Sequence, residues 1–136
     1  MPAYILVVED DEGMRHALRT YLDSLGYEVR TAVNGAEALR LIARRKPDLM
    51  ILDLVMEEMS GWEVLETLRS SDATWDIRVL VLTGLSADSD EAKGWFLGCD
   101  WYEIKEKPLQ FDDIGLVVER LLAIDPREER RIRPQT

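Results

Sequence analysis

Two periods of apolar and polar residues alternate along this chain. Tyr4 to Val8 is a short apolar, β-rich run, and from Met14 the apolar residues recur at Met14, Ala17, Leu18, Tyr21, Leu22 and Leu25. Steps of three and four put these on one face of a helix, and Gly26 is placed to end it. Glu28 to Ala32 alternates as a strand does. Asn34 suits the N-cap of a helix carrying Ala38, Leu39 and Ile42, which Pro47 stops. Leu49 to Leu54 is apolar throughout except for Asp53. A strand apolar on both faces belongs in the middle of a parallel sheet covered by helices. Gly61 precedes a helix with Val64, Leu65 and Leu68. Val79 to Leu82 reads as another buried strand, reaching Thr83-Gly84. A helix follows over about Asp88 to Leu97, closed by Gly98, then a fifth strand over Trp101 to Ile104. Pro108 leads into a last helix with Ile114, Val117, Val118, Leu121 and Leu122. The pattern is a strand and a helix repeated five times. Right-handed crossovers then predict an α/β fold, a doubly wound five-stranded parallel sheet with helices on both faces in three layers. The domain is expected over residues 3–124, with residues 125–136 a charged tail or linker.

Composition agrees with a folded domain. The 136 residues suffice for one core, and 46% hydrophobic with 32% charged residues is a globular balance. The apolar runs are strand-length, well short of the ~20 residues that span a bilayer, so no membrane association is expected. The start of the chain, Met1-Pro2-Ala3-Tyr4, lacks the basic and long apolar regions of a secretory signal. Cys99 is the single cysteine, which rules out an internal disulfide and fits a cytoplasmic location. The net charge is −10, and the last twelve residues carry four arginines against three acids. The body through Ile124 is therefore more acidic than the whole. Such a surface repels phosphate, which argues against direct nucleic-acid binding by the body and suits a cation or a basic partner.

The candidate chemistry lies at strand ends, because open α/β sheets bind ligands outside the carboxyl ends of their strands. The first strand runs into Glu9-Asp10-Asp11, the third ends at Asp53, the fourth at Thr83 and the fifth near Lys105 and Lys107. The fold gathers carboxylates, a hydroxyl and an amine from distant parts of the chain. Carboxylates ~5 Å apart repel by roughly 3 kcal/mol at an effective dielectric near 20, so the cluster calls for a cation. Oxygen ligands suit Mg²⁺ or Ca²⁺, and a small protein ligand set that leaves room for water and a phosphate oxygen favours Mg²⁺. A carboxylate can form an aspartyl phosphate. Asp11 can serve either as an additional acid or as the N-cap of the first helix. His16 falls on that helix as a solvated residue, and Cys99 reads as packing.

These motifs resemble the receiver domain of two-component response regulators, a flavodoxin-like fold. The resemblance rests on Ile5-Leu6-Val7-Val8-Glu9-Asp10-Asp11 with Arg15, Asp53-Leu54-Val55-Met56 with Gly61, Thr83-Gly84, Gly98-Cys99-Asp100 with Tyr102, and Lys107-Pro108, over about residues 4–124. It implies that Asp53 is the phosphoacceptor. Asp10 would ligate Mg²⁺ directly, with Glu9 as its acidic partner and the backbone carbonyl of Val55 and Asp53 itself completing the protein ligands. Thr83 and Tyr102 would be the switch pair, Thr83 also contacting phosphate. Lys107, with Lys105 as the alternative, would contact the phosphoryl group, and Pro108 is the candidate cis-proline. Glu57 stands where the family usually has proline, Ser60 where an aspartate is common, and the run Tyr102 to Pro108 is two residues longer than usual between aromatic and Lys-Pro.

The resemblance also implies partners. These are a sensor histidine kinase or phosphotransfer protein, a downstream effector protein or domain, and a homodimer through the fourth-helix to fifth-strand face, which Trp95 and Trp101 flank. In this reading the domain is not an enzyme in its own right, but assists its own Mg²⁺-dependent phosphotransfer and dephosphorylation. A phosphorylation-independent pseudo-receiver acting as an interaction module is the alternative, favoured by Glu57 and the displaced lysine and opposed by the intact Asp10, Asp53 and Thr83. A hydrolase built on Asp53 would want a second carboxylate two residues on, where Val55 stands.

Overall fold

The computed structural model describes residues 2–54, 56, 59–83, 99–104 and 110–125; the side chains of Thr83 and Trp101–Ile104 lie outside that description. Five strands, β1 (Tyr4–Val8), β2 (Glu28–Ala32), β3 (Leu49–Asp53), β4 (Arg78–Thr83) and β5 (Trp101–Ile104), form one sheet in the order β2-β1-β3-β4-β5. All four pairings are parallel. The chain leaves β1 on one side to form β2 and returns on its other side to form β3, so the winding reverses between β1 and β3. The helices are α1 (Glu12–Ser24), α2 (Gly35–Arg44), α3 (Gly61–Arg69) and a C-terminal helix (Phe111–Leu122). The expected helix over about Asp88 to Leu97 lies outside the described residues.

Alternation along each inner strand builds two cores. Leu6 and Val8, Met50 and Leu52, and Val79 and Val81 point to one face, where they meet Ala38 and Ile42 of α2, Val64, Leu65 and Leu68 of α3, and Cys99. Ile5 and Val7, Leu49 and Ile51, and Leu80 and Leu82 point to the other, against Leu18 and Leu22 of α1 and Ile114, Val118 and Leu121 of the C-terminal helix. This is why β3 reads as a continuous apolar run: both its faces are covered. No helix among the described residues is long and apolar enough to cross a membrane.

Caps fix where the helices start and stop. Asn34 accepts from the Glu37 N–H at 2.9 Å and Asp11 from the Met14 N–H at 2.7 Å. α1 stops at Gly26, whose φ of 93° is a left-handed conformation that glycine adopts without a side-chain clash. Gly61 proves to be the first residue of α3 rather than its predecessor, with Ser60 as the N-cap. The cap decides the boundary, since Ser60 accepts from the Glu63 N–H.

Polar ties secure the N-terminal edge of the sheet. Asp100, 8% exposed, accepts from the Val79 N–H at 2.7 Å and from Arg69 Nη2 at 3.3 Å. Arg69 Nη1 donates to the carbonyls of Trp75 and Ile77, so one ion pair joins the end of α3 to the starts of β4 and β5. Arg78 donates through Nε and Nη2 to the Ile124 carbonyl and through Nη1 to the Asp48 carbonyl, tying the end of the C-terminal helix to β4 and β3. Lys46 pairs with Asp76 beside them.

Removing one partner of a buried ion pair strands the other. Asp100→Ala is expected to lower the unfolding free energy by about 3 kcal/mol, read as a shifted urea midpoint at unchanged slope. A loss below about 1 kcal/mol would show that the exposed edge of Arg69 already solvates the pair.

Candidate functional site

The reversal between β1 and β3 leaves a crevice at the carboxyl ends of those strands, the place where such sheets take ligands. Register decides what lines it. Val8 pairs with Leu52, so the residues that follow, Glu9 and Asp10 on one strand and Asp53 on the other, emerge side by side. Glu9 and Asp53 are buried, at 1% and 4% exposure, while Asp10 is exposed. One carboxylate oxygen from each of the three lies within 4.8 Å of the others.

The backbone on both sides of the crevice is held. The Glu9 N–H donates to the Ala32 carbonyl at 3.1 Å, extending the ladder between β1 and β2 by one bond. Glu9 also accepts from the Asp11 N–H at 3.3 Å. Across the crevice, the Gly61 N–H donates to the Leu54 carbonyl at 3.1 Å. A β-carbon at position 61 would overlap the Asp53 carbonyl oxygen and come within 2.8 Å of the Leu54 Cα. The first turn of α3 therefore rests directly on the Asp53–Leu54 peptide, and only glycine permits that approach.

Three such carboxylates suit a hard divalent cation. Opposite oxygens around an octahedral Mg²⁺ stand about 4 Å apart, comparable with the observed spread. The donor set is oxygen only, and the exposed Asp10 side leaves an approach from solvent. Asp11 stands at the α1 N-cap, outside the three-carboxylate group, with its side chain bonded to the Met14 N–H.

A family model for the response regulator receiver domain matches residues 5–119. The chain belongs to this family. The receiver domain is 40% identical over 122 residues to the response regulator MprA of Mycobacterium sp. (strain KMS), an alignment covering 90% of this chain and 51% of that protein. The chain thus spans about half the length of the curated relatives it matches first. Among solved structures it is similar to a CheY-like receiver domain protein from Methanospirillum hungatei JF-1, with TM-score 0.82, 26% identity, and coverage of 95% of this chain and 99% of that one. It is similar also to the response regulator TrrA from Thermotoga maritima, solved in complex with Mg²⁺–BeF, with TM-score 0.76, 35% identity, and coverage of 89% and 99%. The flavodoxin-like α/β architecture and the two-component signalling family are those expected from the strand-end motifs.

The other expected site residues of the receiver fall differently. Thr83 is the last residue of β4, paired with Ile104, and Tyr102 of β5 pairs with Val81 of β4; the side chains of Thr83 and Tyr102 lie outside the described residues. Val55, Glu57, Lys105, Lys107, Pro108 and Trp95 lie outside them altogether. His16 is exposed on α1 and Cys99 is buried in the core. Two contributors carried no role in the sequence reading. Arg15 bonds the carbonyls of Glu9 and Asp10, and Asp100 orders the far edge. Arg15 had a signal, one turn into the helix that follows the acidic run, whereas its acceptors are backbone atoms that any residue supplies.

Gly61→Ala should cost about 2 kcal/mol by overpacking against the Asp53–Leu54 peptide. Gly13→Ala, whose β-carbon would sit 3.5 Å from Asp11 Oδ2 in α1, should be neutral or stabilising. Denaturant unfolding of the two variants side by side checks this, and equal stabilities would refute the close approach at Gly61.

Proposed function

We propose that this receiver domain, acting in the cytoplasm, accepts a phosphoryl group on Asp53 from a sensor histidine kinase or phosphotransfer protein and so switches a partner-binding surface. The observation that carries the reading is the convergence of Glu9, Asp10 and Asp53 within 4.8 Å at the sheet's reversal point. A buried Asp53 beside two further acids is costly unless a cation shares the site. Asp10, Glu9, Asp53 and the Val55 carbonyl would hold Mg²⁺, which supplies charge neutralisation for the transferring group. TrrA, 35% identical, was solved with Mg²⁺–BeF, which supports the same ion here.

Asp53 attacks phosphorus while the bond to the donor imidazole breaks. Lys107, or Lys105 in its place, contacts the phosphoryl oxygens, beside a cis Pro108. Thr83 donates its hydroxyl to the new group, whose charge of roughly −1.5 to −2 re-packs Thr83 and Tyr102. The changed fourth-helix to fifth-strand face then engages a downstream effector or a second copy of the domain. The receiver itself turns over no separate substrate. Its acidic body repels phosphate and does not bind nucleic acid directly.

Intact-mass spectrometry after incubation with acetyl phosphate tests this. A single phosphoryl adduct is expected, requiring both Mg²⁺ and Asp53 and absent from Asp53→Ala; a folded wild type that takes no adduct from several donors would point instead to an interaction module without phosphorylation. Val55 and Leu85 offer no polar group to position an attacking water, so the adduct should persist for minutes or longer. Decay within seconds would contradict that.

A further inference from the structure

The turn between β1 and α1 is three residues long, and it must bring two carboxylates to the same point as Asp53. All three of its carbonyls and two of its three N–H groups have partners. The Glu9 N–H reaches the Ala32 carbonyl, and the Asp11 carbonyl accepts the Arg15 N–H at 2.9 Å. The Asp11 N–H reaches the Glu9 carboxylate. The two remaining carbonyls, those of Glu9 and Asp10, both accept from one atom, Arg15 Nη1, at 3.0 and 3.3 Å.

We infer that Arg15 is a positioning residue for the acidic cluster: by gripping the carbonyls of Glu9 and Asp10 it fixes the direction of both carboxylates and so sets the affinity of the site for Mg²⁺. The inference rests on the metal reading of the same site proposed above. The side chain is half-buried, and a guanidinium is charged at every relevant pH, so the grip is a pair of charge-assisted bonds. These bonds go to main-chain carbonyls, so the guanidinium itself engages no carboxylate oxygen through them.

The alternative is that Arg15 acts only as a nearby positive charge, and the two roles differ in sign. A mere charge repels a cation, so its removal would tighten Mg²⁺ binding. Loss of a grip lets the two carboxylates wander and weakens binding, and outer partners of metal ligands typically contribute about 10-fold or more to affinity. Lysine keeps the charge but replaces the planar fork with a single compact ammonium, so it should recover part of the effect.

The test is Mg²⁺ titration by isothermal calorimetry on the full chain without phosphodonor, comparing wild type, Arg15→Ala, Arg15→Lys and Asp10→Asn. Circular dichroism of the metal-free proteins establishes that each is folded. Arg15→Ala should bind Mg²⁺ roughly 10-fold more weakly, with Arg15→Lys between it and wild type and Asp10→Asn weakest. In phosphorylation by acetyl phosphate, the half-saturating Mg²⁺ should rise by the same factor while the rate at saturating Mg²⁺ stays within about threefold of wild type, a split that general destabilisation would not produce. Unchanged or tighter binding by Arg15→Ala would overturn the inference and leave the site reading intact. Should Arg15→Ala fail to fold, affinity in Arg15→Lys equal to wild type would overturn it. Failure of wild type to bind Mg²⁺ would overturn the site reading and the inference with it.

Discussion

Glu9, Asp10 and Asp53 hold carboxylate oxygens within 4.8 Å of one another where two parallel strands diverge. At that separation each pair repels by roughly 3 kcal/mol under an effective dielectric near 20, and two of the three residues are withdrawn from solvent. The arrangement persists because the scaffold is stiffer than the repulsion. β1 and β3 are covered on both faces, their register fixes which residues follow them out of the sheet, and neither neighbour can slide without turning its apolar side chains onto the wrong face. In the proposed reading, a divalent ion would supply the missing charge balance. The three carboxylates are thus brought together by the fold itself.

The two sides of the cluster are supported by different means. On the β3 side, α3 abuts the peptide that follows Asp53, and steric contact at Gly61 does the work. On the β1 side the turn is short and exposed, so directional bonds from α1 replace packing. Membership in the receiver family gives both supports a common purpose.

The layered architecture was legible because burial on two faces leaves a mark in composition. Leu49 to Leu52 admits no polar residue, and the charge at Asp53 stands out against it. The cap at Asn34 was legible for a related reason, since only a few side chains can satisfy the first N–H groups of a helix, whereas Asp11 was open between cap and additional acid until its bond to the Met14 N–H decided it. The start of α3 was displaced by one residue because Gly61 looks like a breaker, and the contact that demands glycine comes from the end of a strand eight residues earlier. Arg15 and Asp100 stood out as motif residues, but what they and Arg69 bond was hidden, because their partners include main-chain carbonyls or N–H groups, which are the same in every residue. The choice between Lys105 and Lys107 depends on a spacing irregularity that sequence counting alone leaves open.

Arg78 gives the molecule a direction. It grips the Ile124 carbonyl at the foot of β4, while the acids gather at the heads of β1 and β3. Strands of this length put roughly 17 Å between the two edges. Ile124 and the carboxylates therefore stand on opposite edges of the sheet. Within the described residues, the two edges communicate only through the strands and the packed layers between them. The bonds to Ile124 hold the end of the C-terminal helix against that edge, so any shift of the helix against the sheet has to strain or break them.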